Sequence, residues 1–207
     1  MDSRWSDIEQ TLRAAGARNI AGVDEVGRGP LAGPVVACAV IMPAGGEGIA
    51  GVADSKKLKK GERERLAVLI RAEAVSVALG AASVAEIAQL NIYQATSLAM
   101  RRAIGRLRGA QDAILVDGKP IRTLGYPHQA VVGGDSKVYA IACASIVAKV
   151  ARDRLMTALA ERYPAYGWPQ NAGYGTPKHI QAIVEHGVTA HHRAAFCRSA
   201  LEKTRTI

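Results

Sequence analysis

The spacing of apolar and polar positions changes several times along the chain, and each change marks an element. Ile20 to Val26 and Pro34 to Met42 are short, nearly continuous apolar runs rich in β-branched residues, so both read as buried strands joined through Leu31-Ala32-Gly33-Pro34. A glycine-rich loop, Ala44 to Gly51, follows. From Gly61 to Ala74 charges alternate with Leu66, Leu69 and Ile70 at helical spacing, and Val75 to Ala82 returns to a strand pattern. Ser83 with Glu86 three residues on is a capping box, opening a helical pattern to Leu90 and a longer one from Ile92 to Leu107. Ala113 to Val116 is a short strand ending at Asp117-Gly118, and Gln129 to Val132 another ending in Gly133-Gly134-Asp135. Ser136 to Glu161 reads as one long helix, stopped by Tyr163-Pro164, whose alanines permit close packing on a sheet. Thr176-Pro177 is an N-cap and first-turn proline for a helix that Gly187 closes. Strands interleaved with helices, then helices alone, predict an α/β fold with a helical C-terminal third.

Composition changes this picture in one respect. The 207 residues suit one domain with an aliphatic core, since 49% are hydrophobic but only 4% aromatic. A formal charge of +9 favours a polyanionic partner, and no block of like charges confines that charge to a tail. Cys38, Cys143 and Cys197 are far apart, without zinc spacing, and read as reduced cysteines of a cytoplasmic protein. No run approaches the roughly 18 apolar residues of a membrane span, so no membrane association is expected.

The chemistry concentrates in the acids. Asp24-Glu25, Asp117 and Asp135 each follow an apolar strand and precede or adjoin glycine. Strand ends converge where open sheets bind ligands, so acids remote in sequence can gather there. Asp117 has a second use as a turn residue before Gly118, and Asp135 as the cap of the long helix. Asp24-Glu25 has no capping use, and two adjacent acids closing a buried strand require a positive partner. Neighbouring strand residues point to opposite faces, so the two can share a site only if the strand ends or bends there. Oxygen ligands without His or Cys suit Mg2+ or Mn2+. Two such ions about 3.5–4 Å apart can activate water and stabilise a leaving oxygen in phosphodiester hydrolysis, with Asp24 bridging them and Glu25, Asp117 and Asp135 outside. The glycine pattern from Gly27 to Gly33 misses the dinucleotide fingerprint, and no P-loop is present.

These segments together resemble the ribonuclease HII family, the type 2 ribonucleases H. The resemblance rests on Gly22-Val-Asp-Glu-Val-Gly-Arg-Gly-Pro-Leu-Ala-Gly-Pro-Val-Val-Ala37, Asp54-Ser-Lys-Lys-Leu58, Asn91-Ile-Tyr-Gln-Ala-Thr96, Val116-Asp-Gly118, Gly134-Asp-Ser-Lys137 with Ala144-Ser-Ile-Val-Ala-Lys149, and Gly173-Tyr-Gly-Thr-Pro-Lys-His179. Val26 and Ser136 depart from it, where smaller residues are usual. The resemblance implies a ribonuclease H-like α/β fold, a mixed central sheet flanked by helices, with a helical C-terminal region. It implies one domain over residues 1–207, with a catalytic core of about 18–162 and a substrate-binding helical region of about 163–207.

The implied activity is endonucleolytic hydrolysis of RNA in RNA–DNA hybrids, and incision 5′ of single ribonucleotides in duplex DNA, leaving 5′-phosphate and 3′-hydroxyl ends. The implied metal and catalytic residues are Asp24, Glu25, Asp117 and Asp135. The backbone of Gly27, Arg28 and Gly29 is implied to read the ribose 2′-hydroxyl, the group that separates RNA from DNA. Tyr174 is implied to stack on the substrate. Lys56 and Lys137 are phosphate contacts by position, with Ser55 and Ser136 as weaker candidates. A monomer is expected. His179, His191, His192 and Arg193 fall in family-like segments without an evident mechanism, and structural hydrogen bonding is the reading for the histidines. Two other readings stand beside this one: a nuclease of the same fold acting on DNA, and a non-catalytic nucleic-acid-binding protein. The turn and Tyr174 speak against the former, and acids that would repel phosphate for no gain speak against the latter.

Overall fold

The computed structural model describes residues 6–45, 48–53, 55 and 58–205. At its centre is a five-stranded sheet of order β3-β2-β1-β4-β5, formed by β1 (Ile20–Val26), β2 (Val35–Ile41), β3 (Ser76–Ala82), β4 (Ala113–Asp117) and β5 (Gln129–Val131). The sheet is mixed: β1 runs antiparallel to β2 and parallel to β4. The side chains of β2 divide by parity. Val35, Ala37, Ala39 and Ile41 face α3 (Val84–Ile104), packing with Ala95, Ala99 and Met100. Cys38 and Val40 face α2 (Lys60–Glu73) and α4 (Tyr139–Arg162). This period of two on a strand buried on both sides explains why the run shows no polar alternation.

The helix α4 packs backbone to backbone on the sheet. Its residues from Tyr139 to Ala148 are all buried. It seats directly on β1 because residue 22 is glycine: a Cβ there would lie 2.1 Å from the backbone carbon of Ala140. Expectation and structure part at its start. The segment read as one helix from Ser136 begins with a single 3-10 turn, Gly134–Ser136, and α4 opens only after Val138, which is extended (φ −124°, ψ 120°). Asp135 therefore does not cap the long helix. The cap comes from α1 (Asp7–Ala14), an element the hydrophobic pattern did not single out. Buried Glu9 accepts from the Tyr139 and Ala140 amides, both at 3.0 Å, and from the Ser6 amide in a capping box of its own. The Ser6-x-x-Glu9 spacing was the available signal, the same one that marked Ser83 and Glu86.

Asn91 lies at φ 69° and divides α3 where the pattern divided it, its side chain accepting from the amides of Tyr93 and Gln94. After α4 come a short helix α5 (Trp168–Asn171), then α6 (Pro177–His186), capped by Thr176 as expected, and α7 (Ala194–Arg205). Trp168, Ile183 and Cys197 from these helices close over Leu31 and Ala32, the connection between β1 and β2. The three cysteines are free and buried. Among the described residues no helix is long and apolar enough to cross a membrane.

Removal of the remote cap gives the first prediction. Glu9→Ala strands two buried α4 amides and is expected to lower unfolding free energy by about 2 kcal/mol. A shift in denaturant midpoint, with the native fold retained in the absence of denaturant, is the measurement.

Candidate active site

The ladder between β1 and β4 stops at the pair Val23–Val116, so the next residues, Asp24 and Asp117, leave it side by side. Asp24 stays opposite Cys38 on β2 and so faces α4, whereas Glu25 lies opposite Ala37 and faces α3. The alternation holds, yet both acids line one pocket of about 280 Å3 together with Asp117, Ser145, Lys149 and Tyr174. They meet because β1 ends one residue later at Val26, and Gly27 (φ +94°) turns the chain away.

Each acid is positioned by a short-range partner. Asp24 accepts from the Glu25 amide at 2.7 Å and is hydrogen-bonded by Ser145, whose hydroxyl also meets that of Ser55 at 2.9 Å. Asp117 accepts from the Gly134 amide at 2.6 Å, which ties the 3-10 turn to the end of β4. Glu25 pairs with Arg28 at 3.3 Å. Asp135 is buried in that turn, next to Asp117's partner, and does not line the pocket. Burial, then the charges of Glu25 and Asp117, push the Asp24 carboxyl well above its ordinary range. Burial also raises Glu25, with Arg28 opposing the shift. Acids raised by desolvation and by one another are typical of reactive sites.

This donor set is all oxygen, without imidazole or thiolate, and its crowded negative charge is what a hard divalent cation relieves. The fit is one of chemistry, since among the described residues no group of three or more acids, histidines or cysteines is close-set enough to hold an ion.

Beside the acids lies the glycine-arginine-glycine turn. A Cβ on Gly27 would fall 2.2 Å from Nε of Arg152, and one on Gly29 would lie 3.6 Å from the ring of Tyr174. The turn therefore lies against the half-exposed tyrosine, which itself lines the pocket. Lys137 is not brought in: its amine donates to the Val132 carbonyl at 2.7 Å. Ser136 bonds locally to the Gly133 carbonyl, and Lys56 lies outside the described residues. Lys149 and Ser145, which line the pocket, were missed. Their only sequence signal was their place in the Ala144–Lys149 motif, four residues apart on one helix face.

A mixed sheet with carboxylates at the adjacent ends of two parallel strands, flanked by helices, defines a nuclease of the ribonuclease H-like class. The ribonuclease H2 of Pyrococcus horikoshii has this architecture, with a TM-score of 0.76 and 27% identity over 91% of this chain and 100% of that one. The ribonuclease HII family model matches residues 21–199. Ribonuclease HII of Thermosynechococcus vestitus is 51% identical, covering 93% of this chain and 90% of its own, and that of Granulibacter bethesdensis 55%, covering 86% and 83%. The chain belongs to the ribonuclease HII family. It is a metal-dependent endoribonuclease that hydrolyses RNA in RNA–DNA hybrids.

The raised acids predict a pH effect. A carboxyl raised on folding opposes the folded state once ionised, so the cost is absent at low pH and grows as pH rises above the ordinary carboxylate range. In EDTA, Asp24→Asn is expected to melt a few degrees above the wild type at about pH 8 and level with it at about pH 4. Parallel melting curves across that range would show that Asp24 carries no such cost.

Proposed function

We propose that the enzyme incises duplex DNA 5′ of a single embedded ribonucleotide as well as cutting longer hybrids, leaving 5′-phosphate and 3′-hydroxyl ends. The observation that carries this reading is that Tyr174 lines the acid-lined pocket and lies against the Gly27–Gly29 turn, which follows directly on the acids. A 2′-hydroxyl is a short-range target, best met by backbone unencumbered by side chains. Gly29 carries no side chain beside the Tyr174 ring, so backbone and ring edge are presented to the substrate together. The helical region after Arg162 contributes to binding through Tyr174.

Asp24, Glu25, Asp117 and Asp135 would hold Mg2+ or Mn2+, two ions in the family's expected arrangement, which supply an activated water and charge neutralisation for phosphodiester hydrolysis. Asp24 is the central acid: it is the most buried of the three lining the pocket and feels the charge of both others. Ser145 fixes its carboxyl from α4, and Asp117 is fixed through the Gly134 amide. Arg28, paired with Glu25, is free to exchange that carboxylate for a phosphate once a cation occupies the acids. Lys137, which would have to leave the Val132 carbonyl, and Lys56 are assigned to flanking phosphates. Lys149 joins them from within the pocket. We assign the working form as a monomer, because one chain supplies all these groups.

A duplex with one ribonucleotide is expected to be cut in Mg2+ or Mn2+ and to survive in EDTA; survival with both metals would refute the reading. Asp117→Asn should lower kcat at least about 100-fold while hybrid affinity stays within about threefold, since the acids serve the transition state. Gel-based turnover and anisotropy binding measure the two separately.

A further inference from the structure

His179, His192 and Arg193 lie away from the acids, yet each is buried and fully engaged. Among the described residues the Arg193 guanidinium pairs with no carboxylate. Its Nε and NH2 donate to the Gly33 carbonyl (3.0 and 2.8 Å), NH1 to that of Arg28 (2.8 Å), and NH2 also to that of Gly27. Two carbonyls of the turn and that of Gly33 are thus held by one planar fork. With its carbonyls drawn inward to Arg193, the turn's outer edge is left for substrate. Burial, then neighbouring Arg152, pull Arg193 down to about 10, so it stays charged at neutral pH. The site therefore accepts a buried cation in order to fix this turn.

The residue before Arg193 acts on the other element, Tyr174. Trp168 can only donate, so its indole N–H at 3.1 Å makes His179 Nε2 an acceptor. His179 Nδ1–H then donates to the Tyr174 carbonyl at 2.8 Å. The Thr189 amide donates to His192 Nδ1 at 2.9 Å, which leaves His192 Nε2–H to donate to His179 Nε2 at 3.2 Å. Both rings are neutral in this arrangement, and burial lowers both, His192 to about 4. One relay thus runs from His192 through His179 to the backbone of the stacking tyrosine. The two halves are also stitched by backbone, with the Leu31 amide donating to the Gly173 carbonyl at 2.8 Å and the Gly33 amide to that of His191 at 2.8 Å.

We infer that the adjacent residues His192 and Arg193 act as a positioning pair, setting how the Gly27–Gly29 turn and Tyr174 stand to one another and thereby the enzyme's discrimination of ribose from deoxyribose. Arg193 holds the turn, and His192, through His179, holds the backbone of Tyr174. The two are consecutive on one backbone, which couples the turn to the tyrosine. This inference rests on the reading that the turn and Tyr174 meet the substrate.

The test compares KM for a one-ribonucleotide duplex with Ki for the matched all-DNA duplex as competitor, in Mg2+, for the wild type, Arg193→Lys, His192→Phe and Tyr174→Ala. Lysine keeps the charge but cannot span three carbonyls, and phenylalanine keeps the ring but loses the relay. Both are expected to fold, as thermal melting checks, and to raise KM about tenfold, the worth of about one buried hydrogen bond, while Ki moves less than about twofold. Folded variants that keep the wild-type ratio of KM to Ki, while Tyr174→Ala loses it, would overturn the inference and leave the reading intact. A wild type with KM no lower than Ki, or a Tyr174→Ala variant that keeps the ratio, would overturn the reading and the inference with it. KM and Ki rising together, or both variants failing to fold, would show that the pair only holds the fold, and would likewise overturn it.

Discussion

Everything at the site depends on α4 lying against β1 closely enough to touch backbone, which glycine at position 22 permits. From that contact one face of the helix tracks β1 and its continuation. Ser145 reaches Asp24, Lys149 enters the pocket, Arg152 covers Gly27, and Met156 meets Gly33. These residues are spaced four, three and four apart, the period of a single helical stripe. A side chain at position 22 would push the helix away and detach every one of these supports together. The helix is itself fixed at its start by Glu9, so the segment before β1 is coupled to the active site through α4 rather than by contact with it.

The same stripe separates charge. Acids collect at the end of β1 and β4, where burial and mutual repulsion raise Asp24 and Glu25 and prepare them for a cation. Guanidiniums collect beneath the turn: Arg152 donates to the carbonyls of Pro34, Ala32 and Ala172, and Arg193 to those of the turn itself. Buried charges of this kind are tolerated because each finds several fixed dipoles. Together they set a positive floor under the surface that meets a polyanion, close to a cutting pocket that needs metal before phosphate can approach.

Much of this was legible in the chain. The strand runs, the capping box at Ser83 and the break between Leu90 and Ile92 are local effects, and local effects show in sequence. Asp24 and Glu25 stood out because adjacent acids closing an apolar strand have no structural use. What was not legible depends on distant partners. The long helix is capped by Glu9, 130 residues away from Tyr139, where Asp135 offered a local alternative. Ser145 and Lys149 look like ordinary helix residues until α4 is laid on the sheet.

By itself, then, the sequence marked most of the strands and helices, the acids that are candidates for the chemistry, and the turn beside them, since each is written in spacing and residue type within a few positions. The tertiary structure alone decided how those parts face one another. It put Asp24 and Glu25 around one pocket from opposite faces of a strand, brought Asp117 to them across a parallel pair, and buried His179, His192 and Arg193 in hydrogen bonds to the backbone of the turn and of Tyr174. The physical reason is range. Propensity and capping act over one helical turn, whereas a guanidinium 160 residues from the carbonyl it binds finds its partner only when the chain has folded.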